Sequence, residues 1–128
     1  MTAFDDATQP VLVPDGLRVL HVDDDLLAFD KPSGLLSVPG RGADKQDCLA
    51  TRALAQWPDA RVVHRLDQPT SGVVVLARSA ETQRALGDAF AERRVDKRYV
   101  AVIDGWPDAD AGTIDLPLQA DWPNRPRQ

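Results

Sequence analysis

One stretch limits what this chain can become: Val62–Ala77, reading VVHRLDQPTSGVVVLA. It opens on a short β-branched run and closes on a longer one, Val73–Leu76. Between them stand His64, Arg65, Asp67, Gln68, Pro69, Thr70, Ser71 and Gly72, all polar or turn-forming and interrupted only by Leu66. Apolar β-formers bounded by Pro and Gly read as two strands joined by a constrained loop. A loop held between buried strands is a place where a fold can fix a reactive side chain. Asp67 sits in the middle of it, two residues after Arg65. From the residues alone two readings stay open: an ordinary polar turn with Asp67 as a local cap, or a positioned carboxylate.

The rest of the chain supplies a scaffold around that stretch. Residues 1–16, with Pro10 and Pro14, read as a loose lead-in, and residues 17–128 as one domain at most. Arg18–Val22 and Leu26–Asp30 flank Asp23-Asp24-Asp25 and read as a hairpin. Lys31–Gly40 is a Pro- and Gly-punctuated loop. Its Ser33 and Ser37 read as plain loop residues, because no nucleophile elbow or suitably spaced histidine accompanies them. Cys48–Trp57 reads as a helix capped by Asp47 and stopped by Pro58, with Leu49, Leu54 and Trp57 toward the core. Ser79 is placed to cap a second helix, Ala80–Arg93, whose apolar face is Thr82, Leu86, Ala89 and Phe90. Lys97–Ile103 alternates as a strand, Tyr99, Ala101 and Ile103 on one face. Thr113–Leu118 reads as a further short strand. Helices and strands mix without a regular βαβ rhythm, so the expected fold class is α+β: a mainly antiparallel, mixed sheet with flanking helices.

Charge and cysteine content narrow the function classes. The single cysteine, Cys48, excludes a disulfide framework and fits a reducing compartment. It has no zinc-like spacing to His21 or His64 and reads as packing. The first ten residues lack the apolar segment of a signal peptide, and no apolar run approaches membrane-spanning length. The expectation is a soluble, cytoplasmic protein with no membrane partner. Net charge is −5, which by itself argues against a nucleic-acid partner. The excess lies in the first half, however. Residues 61–128 carry ten acidic and ten basic groups, with Arg93, Arg94, Lys97 and Arg98 close together. That cluster is either a solvated helix end or a surface for nucleic-acid phosphates and bases.

The motifs decide between these readings. His64–Gly72, HRLDQPTSG, resembles the signature of the RluA family of pseudouridine synthases, with every fixed position present. Asp30–Gly40, DKPSGLLSVPG, resembles the family's upstream Lys-Pro-x-Gly motif. Lys97–Gly105, KRYVAVIDG, resembles its downstream Lys-x-Tyr-x-Ala motif, with Ile103 in place of a valine. The final stretch, DLPLQADWPNRPRQ, is similar to that of members acting on both 23S rRNA and tRNA. The resemblance implies an isomerase that converts uridine to pseudouridine in structured RNA, the tRNA anticodon stem-loop and 23S rRNA. No atom is gained or lost in that reaction, so it implies no cofactor and no metal.

The resemblance also assigns residues. Asp67 is the catalytic carboxylate, and Tyr99 packs on the flipped base as a candidate for proton transfer from the sugar. Arg65, Lys31 and Arg98 are the RNA contacts. His64, Thr70 and Gly72 are structural at the site. A later family motif rich in Gly, Arg and His, whose basic residue pairs with the aspartate, has no counterpart before Gln128. The chain thus reads as the N-terminal part of a pseudouridine synthase catalytic domain, leaving Val73–Leu76 and Val100–Ile103 uncovered and prone to self-association. Two other classes remain as alternatives: an inactive RNA-binding remnant, and an unrelated hydrolase using His64 and Asp67 as an acid–base pair.

Overall fold

The computed structural model describes Val11, Leu12, residues 16–125 and residues 127–128. The chain divides into two compact units, Met1–Asp96 and Lys97–Gln128. The first contains all the regular secondary structure of the described residues. Its elements run β1 (Val11–Leu12), β2 (Arg18–Val22), β3 (Leu26–Lys31), α1 (Leu49–Gln56), β4 (Arg61–Val62), β5 (Gly72–Ala77) and α2 (Ala80–Ala91). A short 3-10 turn, Ala43–Lys45, lies between β3 and α1. Five strands form one sheet in the order β1-β2-β3-β5-β4, every neighbouring pair antiparallel. The expected α+β class with a mainly antiparallel sheet is what forms. β1 pairs with β2, so the lead-in contributes an edge strand. The rest of its expected course, residues 1–10 and 13–15, lies outside the described residues.

The β2–β3 hairpin closes over the three aspartates as expected. The Asp23 carboxylate accepts the amides of Asp25 and Leu26, both at 2.8 Å, which fixes the turn locally. Pairing then slips between Val19 and His21, leaving Leu20 as the extra residue of a bulge. Along β3 the residues alternate strictly, with Leu27, Phe29 and Lys31 buried. They face Leu76, Val74 and Gly72 of β5 in register. Val73–Leu76 is therefore not an uncovered run: Val74 and Leu76 are buried in the core, and only Val73 is well exposed.

Helix α1 covers this face. Leu49 and Ala53, four residues apart, are fully buried, while Leu54 is 42% exposed and does not enter the core as expected. One residue at 100° per step is enough to turn Leu54 off the packed stripe. The helix cap also differs from expectation. Cys48, not Asp47, caps α1, its Sγ taking the Thr51 amide while Thr51 Oγ1 takes the Cys48 amide. Asp47 instead pairs with Arg52 at 2.8 Å, and that bond holds its carboxyl below the usual range. Trp57 sits edge-on to Phe29, ring centres 5.7 Å apart, and closes the core. On α2, Ser79 caps through the Thr82 amide, and Thr82, Leu86, Ala89 and Phe90 are half-buried as expected. Neither helix is long and apolar enough to cross a membrane.

The second unit differs from expectation. Lys97–Ile103 and Thr113–Leu118 form no strand, and the described residues of this unit are turns, bends and irregular chain. A strand is a ladder of hydrogen bonds to a neighbour, and alternation alone supplies none. Neither segment finds that neighbour within its own unit. Val100, Val102, Trp106 and Leu118 stand 84–102% exposed. Hydrogen bonds tie the terminal turn among the described residues. There the Asp121 amide donates to the Arg127 carbonyl at 2.7 Å, and Arg125 lies over the Trp122 ring.

Candidate active site

Two loops leave the same end of the sheet. Lys31 is the last residue of β3 and pairs with Gly72, the first of β5. The chain after Lys31 and the chain before Gly72 therefore start side by side. Gly72 has φ of +128°, a conformation that side chains rarely adopt, which accounts for a glycine at the close of the signature. The segment from Lys31 to Ser37 then lies against the segment from Leu66 to Pro69.

Hydrogen bonds bind these two segments residue by residue. Ser37 Oγ donates to the Leu66 carbonyl at 2.6 Å and accepts the Leu66 amide at 3.0 Å. The Gly34 amide donates to the Gln68 carbonyl at 2.8 Å, and Gln68 Nε2 donates to the Gly34 carbonyl at 3.1 Å. Ser33 Oγ donates to the Pro69 carbonyl at 2.7 Å. Lys31 Nζ donates to the carbonyls of Pro32, Leu35 and Gln68 at 3.0, 2.5 and 3.1 Å. Between the two held residues, Leu66 and Gln68, stands Asp67. Its carbonyl accepts the Thr70 amide at 3.0 Å, closing a turn, and its side chain is exposed. A carboxylate open to solvent on a backbone gripped at both neighbours is a group prepared to meet a ligand.

The electrostatics centre on Lys31. Its side chain is fully buried, and its three donors are all used on main-chain carbonyls. Lys31, expected as an RNA contact, thus spends its ammonium donors on the main chain of its own loops. Burial pushes this ammonium below the ordinary lysine range, and the negative charge of Asp67 pushes it back up. Lys31 is a cation lodged under the aspartate loop. No ion pair joins Asp67 directly among the described residues.

The other expected residues fall on both units. His64 Nε2 accepts the Val75 amide at 3.0 Å, and its ring stacks on Phe90 with centres 4.3 Å apart. The histidine thus fastens the loop to β5 and α2, and an acceptor nitrogen occupied by a main-chain amide is poorly placed as a base. Arg65 is exposed immediately before the Leu66–Gln68 grip. Thr70 is half-buried and supplies the turn amide to Asp67. Tyr99 and Arg98 lie in the second unit, both exposed, Tyr99 to 62%.

Sequence reasoning missed two of these arrangements. Lys31 falls in phase with Leu27 and Phe29 along β3, so the strand alternation already placed it on the core face. Ser37 carried no such signal, since its partner is main chain 29 residues away.

Comparison with known proteins agrees with the motifs. Residues 25–128 match the family described as RNA pseudouridylate synthase. The chain belongs to that family. Among its pseudouridylate synthase relatives, the dual-specificity RNA pseudouridine synthase RluA of Escherichia coli O6:H1 is 49% identical over 112 residues. That alignment covers 88% of this chain and 51% of the relative. RluA of Vibrio vulnificus is 48% identical over 87% of this chain and 44% of its own length. The chain spans about half the length of the curated relatives it matches. A solved structure, Human RNA Pseudouridylate Synthase Domain Containing 4, superimposes with a TM-score of 0.48 at 28% identity, over 59% of this chain and 30% of that one.

Proposed function

We propose that this pseudouridylate synthase chain acts on uridine in a structured RNA, a tRNA or 23S rRNA stem-loop, with Asp67 as the nucleophile. The supporting observation is the grip on Leu66 and Gln68, which leaves the Asp67 carboxylate accessible on a fixed backbone. The target nucleotide has to leave its stack before any side chain reaches its glycosidic bond. Asp67 then attacks the anomeric carbon C1′, and the electron pair of the C1′–N1 bond leaves with the uracil. The base turns over and C5 bonds to C1′ as the carboxylate departs. The C5 proton is lost and N1 gains one, so the product is an isomer of the substrate. Tyr99, packed on the base, is the candidate for the proton step, and exposed Arg65 and Arg98 are the RNA contacts. The setting is a cytoplasmic one, as the cysteine content implies.

The experiment is chemical mapping of pseudouridine in an anticodon stem-loop RNA after incubation with the protein, alongside the RNA's mass. Pseudouridine at a defined uridine with unchanged mass is the expected result. Tight RNA binding without any isomerisation would leave only the inactive remnant. Cleaved or base-free RNA would point to the hydrolase.

A further inference from the structure

We infer that Ser37 is a positioning residue for Asp67, fixing the carboxylate through the main chain of Leu66. The inference rests on the catalytic reading of Asp67 above. Ser37 is 5% exposed, and among the described residues Lys31 is the only other buried polar or charged side chain. A buried hydroxyl has one proton to donate and lone pairs to accept with. Here the proton goes to the Leu66 carbonyl and a lone pair takes the Leu66 amide. One side chain thus satisfies both polar groups of the residue preceding Asp67, as a neighbouring strand would.

The backbone of Ser37 is fixed in turn. Its carbonyl accepts the Ala50 amide at 3.1 Å, and the Leu36 carbonyl accepts the Leu49 amide at 2.8 Å. These are the first amides of α1, which have no partner inside the helix. Leu49 and Ala53 root that helix in the core. A rigid path therefore runs from core to α1, to the Ser37 hydroxyl, to Leu66 and to Asp67. Lys31, on the same segment as Ser37, holds Gln68, the residue that follows Asp67. Removing the hydroxyl frees one side of Asp67 and leaves the other tied, which tilts the carboxylate without abolishing the fold or touching RNA. A small misplacement of a reacting group costs up to about 100-fold in rate.

The test compares wild type, Ser37→Ala, Ser37→Thr and Asp67→Asn at a temperature where melting curves show each to be folded. Single-turnover isomerisation at saturating stem-loop RNA, RNA affinity, and hydrogen exchange of the Leu66 amide are measured. Ser37→Ala is expected to slow isomerisation by roughly 10- to 100-fold. Its RNA affinity should stay within about twofold of wild type, a difference well under one decade of binding constant. Leu66 amide exchange should accelerate, and Ser37→Thr, which keeps the hydroxyl, should restore both rate and protection. A wild-type rate in Ser37→Ala, or a Leu66 amide as protected as in wild type, overturns the inference. An Asp67→Asn protein that still isomerises at the wild-type rate overturns the catalytic reading instead.

Discussion

Val73–Leu76 and Val100–Ile103 are similar pieces of sequence with different fates. Both are runs of β-branched and aliphatic residues free of proline. The first lies in β5 between β3 and β4, with Val74 1% and Leu76 2% exposed. The second forms no strand, with Val100 97% and Val102 102% exposed. The same contrast separates Trp57, packed edge-on to Phe29, from Trp106, which is almost wholly in solvent. Strand propensity is the same in both places. What differs is a neighbour to share a ladder and a face to bury. The first unit has both, and it is also the unit that holds Asp67.

The largest effect expected from this contrast is on stability. Phe29→Ala opens a cavity in the packed unit and should cost about 3–5 kcal/mol. Val102→Ala, trimming an exposed side chain, should stay within about 0.5 kcal/mol. Chemical denaturation followed by circular dichroism reads both. A comparable loss from Val102→Ala would show that the second segment is packed in solution and would erase the contrast.

The next effect asks whether chemistry is carried by the exposed unit as well. Tyr99→Phe keeps an aromatic ring and removes the hydroxyl, and Tyr99→Ala removes both. If the hydroxyl moves a proton, Phe should slow single-turnover isomerisation by about 100-fold, and Ala should slow it further. A full rate in Tyr99→Phe would confine Tyr99 to stacking.

The smallest effect belongs to the exposed β2–β3 turn. The hydrogen bond from His21, followed by the amides of Leu26 and Asp25, holds the Asp23 carboxyl down to about 2 from 3.8. A carboxyl lowered on folding adds stability that is complete above its unfolded value and is lost as pH falls through its folded one. Wild type should therefore lose stability between pH 3.8 and 2 more steeply than Asp23→Asn. Parallel acid profiles for the two proteins would show that the turn does not hold its carboxylate.

How much of this was readable in the sequence follows from the range of the interactions. The hairpin over Asp23–Asp25, the Ser79 cap and the apolar face of α2 rest on contacts a few residues apart, and local pattern exposes those. The cap of α1 was misplaced by one residue, because Cys48 and Asp47 compete for it and the side chain of Arg52 draws Asp47 away. No strand forms at Lys97–Ile103, because alternation reports a face and says nothing of a partner. At the site, the motif pointed to the loop, but the grip on Asp67 joins residues 29 to 37 positions apart. No local pattern carries that pairing. Lys31 is the intermediate case: its phase along β3 was legible, and its charge drew it toward the RNA reading.

Asp67, held at both neighbours, is the residue proposed to perform the isomerisation. The most direct measurement of that role is single-turnover pseudouridine formation by Asp67→Asn on a stem-loop RNA, with RNA affinity measured in parallel. Amide and carboxylate are nearly isosteric, so the loop should keep its shape. The account predicts an isomerisation rate below about one per cent of wild type, a loss of more than about 2.7 kcal/mol of barrier lowering. RNA affinity should remain within about tenfold, or about 1.4 kcal/mol. Turnover above that level with the grip intact would contradict it and remove Asp67 from the nucleophile's role.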